Sequence, residues 1–180
     1  EGPNATPAIT DNGSVIIPVE HALSFLEETK LSAKWGQKDF GGGNWPTAAV
    51  SKGGFAYYAG CGDKYVYSVN LTTGKKQWSY LTKNHTRSVP VVCQDDDVYV
   101  GSQDAIFYAL DGATGKLKWK YTNDQIGAFG GGRQFYADYD HAPAIDEHGR
   151  IYAPCNSING RGMLLALEKA KGELKWAYVD

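Results

Sequence analysis

A chain of 180 residues, 42% hydrophobic and 21% charged, is long enough to bury a sizeable core. Its net charge of −2 gives no electrostatic reason to bind nucleic acid or an anionic membrane, and no apolar run approaches the roughly 18–20 residues that cross a bilayer. An aromatic share of 13%, with 12 Tyr and 22 Gly, points instead to many short strands joined by tight turns.

Taken in chain order, one grammar recurs four times. The first copy opens with Pro7-Ala-Ile, turns at Asp11-Asn-Gly13 and continues as Val15-Ile-Ile17. It closes with Phe25-Leu-Glu27-Glu-Thr-Lys30-Leu31-Ser-Ala-Lys-Trp35. The second runs from Pro46 to Val50, turns at Lys52-Gly-Gly54, continues as Phe55-Ala-Tyr-Tyr58 and closes with Ser68-Val-Asn70-Leu-Thr-Thr73-Gly74-Lys-Lys-Gln-Trp78. The third has Pro90-Val-Val-Cys93, a turn from Gln94 to Asp97, Val98-Tyr-Val100, and Ala109-Leu-Asp111-Gly-Ala-Thr114-Gly115-Lys-Leu-Lys-Trp119. The fourth has Pro143-Ala-Ile, a turn from Asp146 to Arg150, Ile151-Tyr-Ala153, and Ala166-Leu-Glu168-Lys-Ala-Lys171-Gly172-Glu-Leu-Lys-Trp176. The closing tryptophans lie 43, 41 and 57 residues apart, a blade-sized period with one longer loop.

Alternating β-branched and aromatic residues bounded by Asp, Asn and Gly predict antiparallel hairpins, four strands A to D in each copy. Such a sheet cannot bury both faces alone, so the sheets are expected to stack around an axis. In the closing signature the Asp or Asn and the Thr-Gly form the C–D turn, with Gly supplying positive φ. The tryptophans Trp35, Trp78, Trp119 and Trp176 read as structural plates that dock on the neighbouring sheet.

The pattern A-x-D-x-x-T-G-x-x-x-W resembles the tryptophan-docking motif of PQQ-like β-propeller repeats. The third copy matches at every position and the second and fourth with substitutions, whereas the first keeps only Trp35 and an acid at Glu27. The resemblance implies an all-β chain, a propeller of four-stranded antiparallel blades at approximately 7–36, 46–80, 90–121 and 143–179. These four blades are half of an expected eight-blade ring within one unit, 1–180. Relatives in that family are either quinoprotein dehydrogenases or non-catalytic scaffolds. The dehydrogenases carry adjacent disulfide-bonded cysteines, a tryptophan platform and a Glu-Asn-Asp metal set. Cys61, Cys93 and Cys155 are not adjacent, Trp45 is the one tryptophan outside the repeat positions, and no such metal set can be matched. The sequence therefore predicts no catalytic residue and no cofactor.

Other candidates are few. Asp138, Asp140 and His141 have spacing that would suit a metal, against the reading of a polar loop end. Asp95-Asp96-Asp97 reads as a solvated turn. Four of the eight asparagines stand in glycosylation sequons, Asn4, Asn12, Asn70 and Asn84, which favours an extracellular or cell-surface location, or the periplasm in a bacterium. Because strand direction alternates, the long D–A connections share one face, which gathers Trp45, Arg87, Arg133 and Tyr136 as a candidate binding face. Four blades expose two apolar flanks, so the expected partners are a second copy, in a ring or a filament, or another surface protein. The expected function is a non-catalytic scaffold. A glycan-coated fibre subunit and a degenerate quinoprotein dehydrogenase are the alternatives.

Overall fold

A computed structural model describes residues 7–19, 22–26, 33–38, 48–60, 62–122, 141–156 and 162–180. These residues form sixteen strands and no helix. The first sheet holds β1 (Ala8–Ile9), β2 (Val15–Val19), β3 (Ala22–Leu26) and β4 (Ala33–Lys38). The second holds β5 (Ala49–Val50), β6 (Phe55–Ala59), β7 (Tyr65–Asn70) and β8 (Lys76–Leu81). The third is β9 (Val91–Val92), β10 (Val98–Ser102), β11 (Ile106–Leu110) and β12 (Leu117–Thr122). The fourth is β13 (Ala144–Ile145), β14 (Arg150–Asn156), β15 (Gly162–Glu168) and β16 (Leu174–Val179).

Every sheet is a four-stranded antiparallel meander in chain order. The first strands lie side by side, β1 next to β5 and β5 next to β9, so each blade begins at the axis and ends at the rim. This is a β-propeller architecture.

The four blades share one register. The closing tryptophan pairs across strands C and D with Phe25, Ser68, Ala109 or Ala166, and the ladder slips directly after that residue in every sheet. The slip is a bulge that accommodates the C–D turn. In three blades the turn contains a glycine at positive φ, Gly74 (69°), Gly115 (71°) and Gly172 (71°). The register of the first blade, Phe25 with Trp35 and Leu26 with Ala33, spans the same number of turn residues. In the sequence, Leu31 aligns with these glycines; it lies outside the described residues.

Among the described residues the buried apolar clusters lie between blades. One cluster joins Ile16 of blade 1 to Ala56, Tyr58 and Val69 of blade 2. A second joins Tyr57, Val66 and Trp78 of blade 2 to Val98, Val100 and Leu110 of blade 3. A third joins Tyr99, Phe107 and Tyr121 of blade 3 to Ile151, Leu165 and Leu167 of blade 4. Strands β10 and β11 are buried throughout because both of their faces are covered. That burial of apolar area, worth about 25 cal/mol per Å², is the main attraction between sheets.

One expectation about a turn is corrected. In the run Asp95-Asp96-Asp97 the solvated reading fails for Asp97, whereas Asp95 is exposed. Asp97 is 5% exposed and its carboxylate binds the Lys118 ammonium of the same blade, while Asp95 reaches Lys169 of blade 4 at 2.7 Å. Asp96 takes the positive φ (61°) that glycine takes in the other three A–B turns, a conformation Asp tolerates better than most residues. Among the described residues no helix is long and apolar enough to cross a membrane.

Candidate functional site

The most organised polar and aromatic arrangement is the joint between blades. On the rim side of blade 2, strand β6 supplies Tyr57 and strand β8 supplies Trp78 and Tyr80. The Tyr57 and Trp78 rings lie 5.8 Å apart. Trp78 lays its indole across the C–D turn of blade 3, and its Nε1 donates to the Gly112 carbonyl at 2.7 Å. Tyr57 Oη donates to the same carbonyl at 3.3 Å. Burial, and then the nearby Asp96 carboxylate, push the Tyr57 phenol up to about 12, so it stays a hydrogen-bond donor across the neutral range.

The indole fits because Gly115 has no side chain. A Cβ at that position would lie 2.6 Å from Trp78 Cδ2, inside contact distance. The next joint repeats these parts. Trp119 stands 5.7 Å from Tyr99, donates from Nε1 to the Lys169 carbonyl at 2.7 Å, and covers Gly172, where a Cβ would lie 2.4 Å from Trp119 Cε3. The joint thus has two halves: a leaving face of Tyr-Trp-Tyr, and a receiving turn with a free carbonyl and a bare glycine.

Blade 4 presents the leaving half a third time. Tyr152 and Trp176 stack at 6.0 Å, as in the other two blades. Trp176 is 42% exposed where Trp78 is 9% exposed, and Tyr178 is 61% exposed where its counterpart Tyr121 is 4%. The aromatic set is assembled and open.

The sequence candidates are distributed as follows. Trp35 lies on β4, its side chain outside the described residues, as are Trp45, Arg133, Tyr136, Asp138, Asp140, Cys61 and Asn4. His141 is exposed, and its carbonyl accepts the Ser88 hydroxyl at 2.9 Å. Among the described residues no group of three His, Cys, Asp or Glu comes together. Arg87 is exposed on the connection from β8 to β9. That connection packs on B–C turns, through Thr86 Oγ1 to the Gly60 carbonyl (2.9 Å) and the Gln103 amide to the His85 carbonyl (2.9 Å). D–A and B–C connections therefore share a face in this part of the propeller.

Of the sequons, Asn12 is exposed at an A–B turn, and Asn70 uses its Oδ1 to cap the C–D turn, accepting from the Thr72 and Thr73 amides at 3.0 and 2.9 Å. Asn84 donates from Nδ2 to the Gln103 carbonyl at 3.2 Å, a bond that a glycan on that nitrogen would have to replace. Cys93 and Cys155 are free, and burial pushes the Cys155 thiol up to about 12. The sequence reading missed the tyrosines of the leaving face. Their signal was present in Trp78-Ser-Tyr80, Trp119-Lys-Tyr121 and Trp176-Ala-Tyr178, one W-x-Y in each of blades 2 to 4, where blade 1 has Trp35-Gly-Gln37.

A quinone over the propeller axis, with its calcium, needs several oxygen donors close together. The described axial strands offer Ala8, Ile9, Ala49, Val50, Val91, Val92, Ala144 and Ile145, which do not supply such a set. These described residues do not fit the group.

Fold and joint together define a propeller of PQQ-like repeats. Residues 25–180 match the family model described as outer membrane protein assembly factor BamB, and the chain belongs to that family. No curated protein matches the chain in sequence. BamB from Moraxella catarrhalis superposes with a TM-score of 0.74 at 14% identity, over 97% of this chain and 48% of that one. Hydrazine synthase from Kuenenia stuttgartiensis gives 0.79 at 14% identity, over 99% and 49%. The quinohemoprotein alcohol dehydrogenase ADHIIG from Pseudomonas putida HK5 gives 0.76 at 19% identity, over 98% and 34%. The chain thus spans about half the length of the first two structures or less of the third, and at these identities the likeness is one of fold.

Proposed function

We propose that the chain is a non-catalytic PQQ-like β-propeller scaffold that holds another protein against the outer flank of its fourth blade. The observation that carries this reading is the Tyr152-Trp176-Tyr178 set, which has the geometry of two buried joints and is itself exposed. Exposed apolar aromatics arranged as a preformed docking plate are characteristic of interaction surfaces. The family's description as an assembly factor supports the same reading. A cell-surface location, or the periplasm in a bacterium, is part of the proposal and agrees with the exposed sequon at Asn12.

The test is a photo-reactive amino acid placed at Tyr178, with Lys75 on a C–D turn as the control position. Cross-linking in the cells that make the protein should join position 178, and not position 75, to one protein at a defined residue. In parallel, PQQ with calcium is titrated against the purified chain with an alcohol present. Turnover above the protein-free rate would overturn the scaffold reading in favour of a quinoprotein enzyme.

A further inference from the structure

The net charge of −2 averages over an uneven distribution. The stretches 70–81, 111–122 and 168–179 are each a C–D turn followed by strand D, in blades 2, 3 and 4. Together they hold eight of the 18 basic residues and three of the 20 acidic ones. Their net charge is +5, against −7 for the rest of the chain. Strand D is the last strand of every sheet, so this positive charge lies along the rim of three consecutive blades.

The two closed joints make the three stretches one band. Through the Gly112 carbonyl, Trp78 of β8 docks on the turn that carries Lys116. Through the Lys169 carbonyl, Trp119 of β12 docks on the turn that carries Lys171. Each basic strand D is thereby held against the basic turn of the next blade. Lys75, Lys76, Lys116, Lys120 and Lys171 are exposed, and none forms an ion pair with a described residue. The other three lysines of the band are paired, with Asp97, Asp95 and Glu173. Leu117, 40% exposed, stands between Lys116 and Lys118.

The chemistry of the band narrows what it can meet. Every basic residue in it is lysine. Arginine, with its planar fork, suits a single carboxylate or phosphate gripped in a fixed geometry, and lysine is depleted from protein interfaces. Lysine supplies a mobile point charge on a long stem. A row of such charges along an outer rim fits a plane of negative groups that need not stand in register with it. A layer of anionic lipid headgroups is such a plane, and each lysine near it adds to the attraction. Leu117 adds an apolar contact that the hydrocarbon boundary accepts and a polyanion in water does not offer. We infer that the rim of blades 2 to 4 is a peripheral contact surface for an anionic lipid bilayer. The inference goes beyond the scaffold reading and does not rest on it, since the rim and the flank of blade 4 are different surfaces.

The experiment measures co-sedimentation of the 180-residue chain with vesicles of phosphatidylcholine, alone or with about one third phosphatidylglycerol, at about 50 and about 300 mM salt. Two variants lose the same charge from different places. One carries Lys76→Gln, Lys116→Gln and Lys120→Gln in the band. The other carries Lys52→Gln, Lys64→Gln and Lys83→Gln outside it. Wild type should bind the anionic vesicles at low salt, bind the neutral ones about tenfold more weakly or less, and be released by the higher salt. The band variant should bind the anionic vesicles about tenfold more weakly than wild type, and the control variant should match wild type. All the substituted positions lie on turns, connections or outer strands, and circular dichroism melts check that both variants are folded.

A wild-type chain that ignores anionic vesicles at low salt would overturn the inference, and the lysines would serve only to keep the rim strands from pairing with other edges. Equal losses in the two variants would also overturn it, since overall charge and not the band would be deciding. A chain that binds a polyglutamate peptide through the band while ignoring the vesicles would assign the band to an acidic protein and sink the lipid reading. These outcomes leave the scaffold reading standing, which fails only on quinone turnover or on the absence of any cross-link from position 178.

Discussion

The joint between blades 2 and 3 and the outer flank of blade 4 are made from matching residues, and they differ only in what lies against them. At the joint, Tyr57 and Trp78 converge on the Gly112 carbonyl and the indole rests on a bare glycine. At the flank, Tyr152 and Trp176 keep the same stacking distance to within 0.3 Å of the other two pairs, and among the described residues no turn receives them. The aromatic pair is therefore set by its own blade, and docking does not create it. Preorganisation of this kind lowers the entropy a surface loses when a partner arrives.

The comparison is most directly broken by removing the plates one at a time. Trp78→Ala should destabilise the fold by about 3–5 kcal/mol, the range for a buried aromatic, and also leaves the Gly112 carbonyl without its indole donor. Trp176→Ala should cost less than about 1 kcal/mol, because Trp176 is 42% exposed and meets no receiving turn among the described residues. Urea titrations of both variants check the contrast. Equal losses would mean that Trp176 is packed as tightly as Trp78, and the open flank would not exist.

Next in size is the receiving half. Gly115→Ala introduces a methyl 2.6 Å from the Trp78 ring and forces alanine to φ +71°, for a combined cost of about 2–4 kcal/mol. Gly54→Ala, also at positive φ but with nothing within 4 Å of the added methyl, isolates the backbone part at about 1–2 kcal/mol. The difference between the two variants in the same denaturation assay measures the collision itself. A difference near zero would mean the indole slides aside freely, and the bare glycine would not be what seats it.

How much of this was legible beforehand depends on whether a feature is written within one blade or between two. The strands were readable because Val, Ile and Tyr alternate between Asp, Asn and Gly turns, and each copy repeats the others. The docking of Trp78 and Trp119 was readable because large aromatics at a fixed repeat position have to pack somewhere. The burial of Asp97 was missed because nothing local distinguishes a carboxylate facing water from one facing Lys118, which lies on the far strand of the blade. The W-x-Y tyrosines were visible but not recognised, since one exposed and one buried tyrosine look alike until the neighbouring sheet is in place. The candidates on the long D–A connections, Trp45, Arg133, Tyr136, Asp138 and Asp140, lie outside the described residues.

A third prediction uses chemistry in place of stability. Cys155 sits in the cluster between blades 3 and 4, and with its thiol pushed up to about 12 it is overwhelmingly neutral at pH 8. Alkylation should proceed only when that joint opens. Trp119→Ala, which loosens the joint, should speed Cys155 alkylation at least tenfold, a change of about 1.4 kcal/mol in the opening equilibrium. Trp176→Ala, on the far flank of the same blade, should leave the rate unchanged. Peptide mapping after iodoacetamide separates Cys155 from Cys93 and Cys61.

The smallest effect expected is electrostatic, and it lies at the same joint. Burial, the largest single influence on Asp95, raises its carboxyl, but the hydrogen bond and charge of Lys169, together with backbone hydrogen bonds from Asp95 and Asp97, hold the group below its ordinary 3.8. Lys169 is raised correspondingly above 10.5, first by its hydrogen bond to Asp95. A carboxylate lowered on folding contributes stability that is present above pH 3.8 and disappears as pH falls through the folded value. A lysine raised on folding contributes below 10.5 and is lost as pH rises through its folded value. Because the Asp95 side chain is 49% exposed, solvent screening keeps the pair under about 1 kcal/mol. Melting temperatures of wild type and Asp95→Asn should therefore differ slightly at pH 6 and converge below pH 3.8, while the carboxylates shared by both proteins cancel. Adding salt should shrink the pH 6 difference as well. A difference that persists undiminished into acid would assign the contribution of Asp95 to turn geometry, and the ion pair would drop out of the account of what holds blade 3 to blade 4.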